Sequence, residues 1–315
     1  MKIKDPLKEY YFSLEDFSKK YNIMILIMED IESAGIIPVY NRVENRFECY
    51  CIQFPTYDIF FYLHKMFIEW DISMRELVEQ TVQHELNHIK DLNHIWKYCK
   101  EYLLKCPSIC YTVSEICTHY LIDFDYYKKW NIVNKLREFI IHEFVWKVKE
   151  NLPYVLQDLN FSYELLKTFL SKLLELKEGE EVKKLKREIL RTALSAEKML
   201  VKILENLIAV LVLDSILLNL TLEDLLMKIG LEKTKLFNLL LEVRDFIKDF
   251  LIYLDLCKGV EKLINIFKRY FPEIVIFEEL YSQIFAPPIK IINLSISEED
   301  FWKEVETKVI KVIKP

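Results

Sequence analysis

Glycine is nearly absent from this chain, with four in 315 residues. A sequence so poor in the residue that weakens helix interiors favours long helices, and abundant Leu, Ile, Lys and Glu point the same way. A basic cluster is also missing. Lys and Arg are scattered along a chain of net charge −6, which excludes the electrostatic footprint of a nucleic-acid binder. No segment is apolar enough to span a membrane. The most apolar stretch, from Leu200 to Leu222, is interrupted by Lys202, Glu205, Asn206 and Asp214, whereas a span needs about 20 nearly uncharged residues. It reads as a buried bundle helix. The start, Met1-Lys2-Ile3-Lys4-Asp5-Pro6, has no apolar signal segment, and no internal repeat is visible. The seven cysteines, Cys49, Cys51, Cys99, Cys106, Cys110, Cys117 and Cys257, include no close Cys-x-x-Cys pair. Buried reduced thiols in a cytoplasmic protein are therefore expected, and not a cluster built on Cys99 to Cys117.

What is present is a large apolar fraction, 52%, enough to bury a substantial core. Lys8 to Tyr21 reads as an amphipathic helix and Asn22 to Met28 as a buried strand. Ile36 to Val43 and Arg46 to Phe54 form a hairpin about the polar pair Glu44-Asn45, and Pro55 ends its second strand. After a helix from Tyr57 to Trp70, Ser73-Met74-Arg75-Glu76 supplies a capping box that opens another. That next helix has no Gly or Pro from Ser73 to His94. Nearly everything beyond it reads helical: Ile95 to Lys105, Val113 to Trp130, Asn134 to Lys149 before Pro153, and a Leu-rich series from Leu159 to about Phe271, broken at Gly179, Gly230 and Gly259. In the tail, Glu273 to Phe277 and Ile289 to Leu294 are possible strands. The expected class is α+β and mostly helical. It has two domains, residues 1–150 with a small N-terminal sheet and residues 151–315, helical with a mixed tail; the boundary follows the change in composition near residue 150.

The helix opened by Ser73 carries His84-Glu85-Leu86-Asn87-His88. Residues four apart on a helix differ by about 40° around its axis, so His84 and His88 project side by side and can chelate one ion. Glu85 points about 100° away from His84, outside easy reach of the ion but within reach of a water bound to it. That is the placement of a general base. A third ligand comes from one of two residues. His94 lies ten residues after His84, but on a continuous helix it points about 120° from His88, so it ligates only if the chain turns, with Asn93 best able to take a left-handed turn. Glu115 lies in helical sequence and shares a face with His119. It also fits a helix-capping role in Thr112-Val113-Ser114-Glu115. His119 or Asp123 can orient a ligand from the second layer, and Asp91 either holds His88 or is a solvated turn residue. His64 and His142 have no partner at ligand spacing.

The His-Glu-x-x-His run resembles the zincin-type zinc metallopeptidases. Gluzincins take a third ligand as a Glu from a later helix, which here implies Glu115 beside His84 and His88 on Zn2+, with Glu85 catalytic. The run to His94 has metzincin spacing, but Asp91 stands where that family has Gly and no Met-turn is evident. Asn93-His94 and Pro107 add a partial resemblance to SprT-like and WLM-type peptidases over residues 73 to 107. The resemblance implies metal-assisted hydrolysis of a peptide or protein substrate. An extended substrate adds to the strand Arg46 to Phe54 as an exposed edge, and Tyr120, Tyr126, His119 and His142 are candidate oxyanion partners. The alternative is a non-catalytic, zincin-like regulatory protein with a structural metal, in which the C-terminal helices bind a protein partner.

Overall fold

The computed structural model describes residues 5–29, 31, 33–41, 43–176, 180–232, 234–284 and 309–315. It is mostly helical with one small sheet, and it divides into two compact units. The first comprises Met1–Trp96, Leu121–Trp130 and Lys290–Pro315, and the second Lys97–Tyr120 and Asn131–Ile289.

The first unit opens with α1 (Pro6–Tyr21). Asp5 caps it by accepting from the Leu7 N–H, Pro6 takes the first position, where a missing N–H is harmless, and Asn22 ends it in the left-handed region. Strands β1 (Met24–Met28), β2 (Gly35–Asn41), β3 (Arg46–Pro55) and β4 (Val309–Ile313) form a sheet in the order β2-β3-β1-β4 among the described residues. β1 runs parallel to β3, and the other two pairings are antiparallel. Ile25, Leu26 and Ile27 are fully buried, as suits an apolar run covered on both faces. This corrects the expectation that Arg46 to Phe54 is an edge. Because β1 fills the side of β3 that faces away from β2, the edges are β2 and β4. The turn is also longer than a two-residue one. β2 ends at Asn41, whose Oδ1 accepts from the Val43 and Glu44 N–H groups at 3.0 and 3.2 Å, and Asn45 takes a φ of 53°.

Helices α2 (Tyr57–Glu69) and α3 (Met74–Lys105) come next. The capping box forms: Ser73 Oγ accepts from the Glu76 N–H at 3.3 Å, and Glu76 Oε2 accepts from the Ser73 N–H at 3.1 Å. α3 continues through Asn93 and His94 and departs from helical geometry only at Cys99 (φ −146°, ψ 40°). After it stand α4 (Pro107–Thr118), a π-helical turn His119–Asp123 and α5 (Phe124–Lys129). α4 starts at Pro107, so Thr112 lies inside it and donates to the Ser108 carbonyl at 3.1 Å. The capping role for Glu115 is thereby overturned.

The second unit is helical among its described residues. It contains α4, α6 (Val133–Phe139), α7 (Val145–Glu175), α8 (Glu180–Leu207), α9 (Asp214–Leu217), α10 (Leu222–Ile229), α11 (Lys235–Tyr253), α12 (Leu256–Tyr270) and α13 (Pro272–Ile284). α7 crosses residue 150 and runs through Pro153, which was expected to break it. Lys149 and Pro153 are both exposed, so water can satisfy the carbonyl that proline leaves unbonded. Glu273 to Phe277 is helical, not a strand; Pro272 starts α13, and Ile274, Val275, Phe277 and Glu278 are buried at helical spacing. Ile289 to Leu294 and Gly179 lie outside the described residues. Gly230 ends α10 with a φ of 88°, as expected of a break. Gly259 instead lies inside α12, because a Cβ there would sit 2.9 Å from the Phe250 ring. Cys99 and Cys257 form a disulfide with Cα atoms 5.8 Å apart, which corrects the expectation of a reduced Cys99. Among the described residues no helix is long and apolar enough to cross a membrane.

Candidate metal centre

His84 and His88 sit one turn apart on α3, with ring centroids 5.0 Å apart and planes at 76°. His84 Nδ1 lies 3.0 Å from each carboxylate oxygen of Asp123, which is 5% exposed. Gln80, one turn before His84, donates to the same carboxylate at 2.5 Å. An ionised carboxylate can only accept, so this contact places the ring proton on Nδ1 and leaves the Nε2 lone pair for a metal. Asp123, one of the two second-layer candidates, is thus on His84. His119 Nε2 meets Asp214 at 3.0 Å. Gln80 was missed in the sequence, although its place four residues before His84 puts it on the same helix face.

Glu85 is buried, with 7% exposure. The Cys49 thiol on β3 is pushed up to about 12, first by its burial and then by the nearby Glu85 charge. The Glu85 carboxylate therefore lies within the electrostatic reach of β3.

Several contacts fix α3 in register. Asn93 clasps the start of β3 with both ends of its amide: Oδ1 accepts from the Phe47 N–H at 2.6 Å, and Nδ2 donates to the Phe47 carbonyl at 2.8 Å. Trp96 packs its ring 5.4 Å from Phe47 and 4.8 Å from Tyr40. Toward the other end, Arg75 pairs with Asp16 and Lys20 with Glu79. The histidines thus stand on a helix clamped to both α1 and the sheet.

Glu115, the other expected third ligand, lies on α4 in the second unit, whereas His84 and His88 belong to the first. His94 is exposed on the uninterrupted part of α3. Asn93 keeps helical geometry, so the left-handed turn that was to redirect His94 does not form; its amide is committed to Phe47 instead. Asp91 is buried, with 6% exposure, and accepts from Asn87 at 3.4 Å, so it is not a solvated turn residue. His64 is buried against Phe60, with its ring nitrogen 2.8 Å from that residue's carbonyl, and burial lowers its pKa. His142 is exposed and meets Glu138 at 3.2 Å. Compared with protein families, with curated proteins and with solved structures, the chain matches none.

Proposed function

We propose that this chain is a zinc-dependent peptidase in which His84, His88 and Glu115 hold the metal and Glu85 is the general base. The observation that carries this reading is the contact between His84 and Asp123. A buried carboxylate that fixes the tautomer of one imidazole, beside a second imidazole one turn on, is what a metal-binding pair requires. Two neutral imidazoles and one carboxylate are a donor set that would suit Zn2+. Zinc held there supplies a Lewis acid that acidifies water and polarises a carbonyl.

The chain's own residues do the rest. Asp123 and Gln80 keep the His84 ring oriented, and the clamp of α3 at Asn93 and Trp96 keeps both histidines in place. Glu85 takes a proton from the attacking water and returns it to the leaving amine. With β3 interior, strand addition by an extended substrate falls to an edge strand of the sheet.

The Glu85→Gln variant tests the reading. The amide preserves shape while removing the base, so zinc content and thermal stability should match wild type while peptide hydrolysis falls by about 100-fold or more. Cleavage at the wild-type rate by that variant would remove Glu85 from the mechanism.

A further inference from the structure

The second unit contains a cavity of about 240 Å³ that the proposed peptidase chemistry does not use. Glu197 and Glu278, Ser108 and Ser282, and the rings of Tyr111 and Phe277 line it. Glu197 is 2% exposed and Glu278 3% exposed. Each carboxylate is anchored by one oxygen: Glu278 Oε1 accepts from the Ser108 N–H at 2.7 Å, and Glu197 Oε1 accepts from the Ser108 hydroxyl at 3.0 Å. Glu278 Oε2 and Ser282 Oγ are buried and have no hydrogen-bond partner among the described residues. Burying a carboxylate oxygen without a donor is unfavourable in an apolar setting, so its retention beside a cavity calls for a donor that enters from outside.

We propose that this cavity binds a small organic cation, with a primary ammonium group seated between Glu197 and Glu278. Three N–H donors meet Glu278 Oε2, Ser282 Oγ and the Glu197 carboxylate, while the alkyl part lies against Tyr111 and Phe277, whose ring faces also attract positive charge. A bare divalent ion suits the site less well. Calcium takes about six to eight oxygen ligands, and the aromatic walls supply none beyond a phenol. Lys198, exposed at the mouth, repels cations only from the solvent side.

Without a ligand, burial raises both carboxyls, Glu197 to about 7 and Glu278 to about 8, and the charge of Glu197 adds to the shift of Glu278. The other groups around Glu278 are Cys106 just before α4, Cys110 and Tyr111 on α4, Lys198 on α8, and Glu279 and Tyr281 on α13. Burial pushes both thiols and the Tyr111 phenol upward, away from this interval. Entry of an ammonium therefore displaces protons from the two carboxyls, and affinity rises with pH across the same range.

Isothermal titration calorimetry of the full chain with propylammonium chloride, at about pH 9 and about pH 6, reads this directly. Binding at one site per chain is expected at the higher pH. It should weaken about tenfold or more at the lower pH, and equally in Glu278→Gln. Leu194→Trp, which fills the cavity and leaves both carboxylates, should also lose binding. Circular dichroism checks that each variant is folded. Three outcomes would overturn the proposal: no heat at millimolar propylammonium, binding undiminished in folded Glu278→Gln or Leu194→Trp protein, or binding of calcium chloride in place of the amine.

Discussion

On the proposed reading His84 needs its second nitrogen held, and the ring has a partner in Asp123, itself steadied by Gln80. Asp123→Ala removes the acceptor and frees the ring, so zinc affinity measured by competition with a chelator should fall about 10- to 100-fold. Glu115→Ala should lower it sharply as well, while His94→Ala, on the exposed side of α3, should leave it unchanged. Equal losses in Glu115→Ala and His94→Ala would contradict the ligand assignment. The placement of His84 and His88 one turn apart was legible in the sequence because the helix period alone sets the angle between residues four apart. Asp123 was legible only as one of two candidates. The π-helical turn His119–Asp123 adds a residue to the winding and rotates α5 by about 100° relative to an unbroken α-helix, a change that spacing does not reveal.

α3 delivers the site only while it stays pinned to the sheet. Asn93→Ala removes both hydrogen bonds to the Phe47 backbone and leaves a part-buried N–H and carbonyl to find other partners. Urea denaturation should show a loss of about 1–3 kcal/mol; a variant as stable as wild type would show that the clasp contributes nothing. Sequence marked Asn93 as a turn former because its local preferences favour turns, whereas a tertiary contact holds it in the helix. Glu273 to Phe277 was misread for a similar reason. Its β-branched residues suggest a strand, but burial at helical spacing decides the outcome. The helix start at Ser73 was readable from cap chemistry, which depends on neighbours in the chain, while α1 starts at Pro6, two residues before the expected Lys8.

At the scale of the whole molecule, the chain passes between its two units more than once. The buried carboxyl pair gives the protein a pH signature. Both groups titrate above their ordinary value of 4.5, so the folded state holds protons that the unfolded chain releases. Their contribution to stability is complete below about pH 4.5 and is lost as pH rises through about 7 and then about 8. Between about pH 5 and pH 9 the melting temperature should drop by about 5 °C or more, and Glu278→Gln should flatten that slope. An identical slope in the variant would place the titration elsewhere. The central claim, that the histidine pair on α3 holds a metal, is tested most directly by elemental mass spectrometry on purified wild-type protein beside the double variant His84→Ala, His88→Ala. The expected result is about one zinc per wild-type chain and none in the folded double variant. Stoichiometric zinc retained by the double variant, or no zinc in wild type after purification with zinc present, would contradict it.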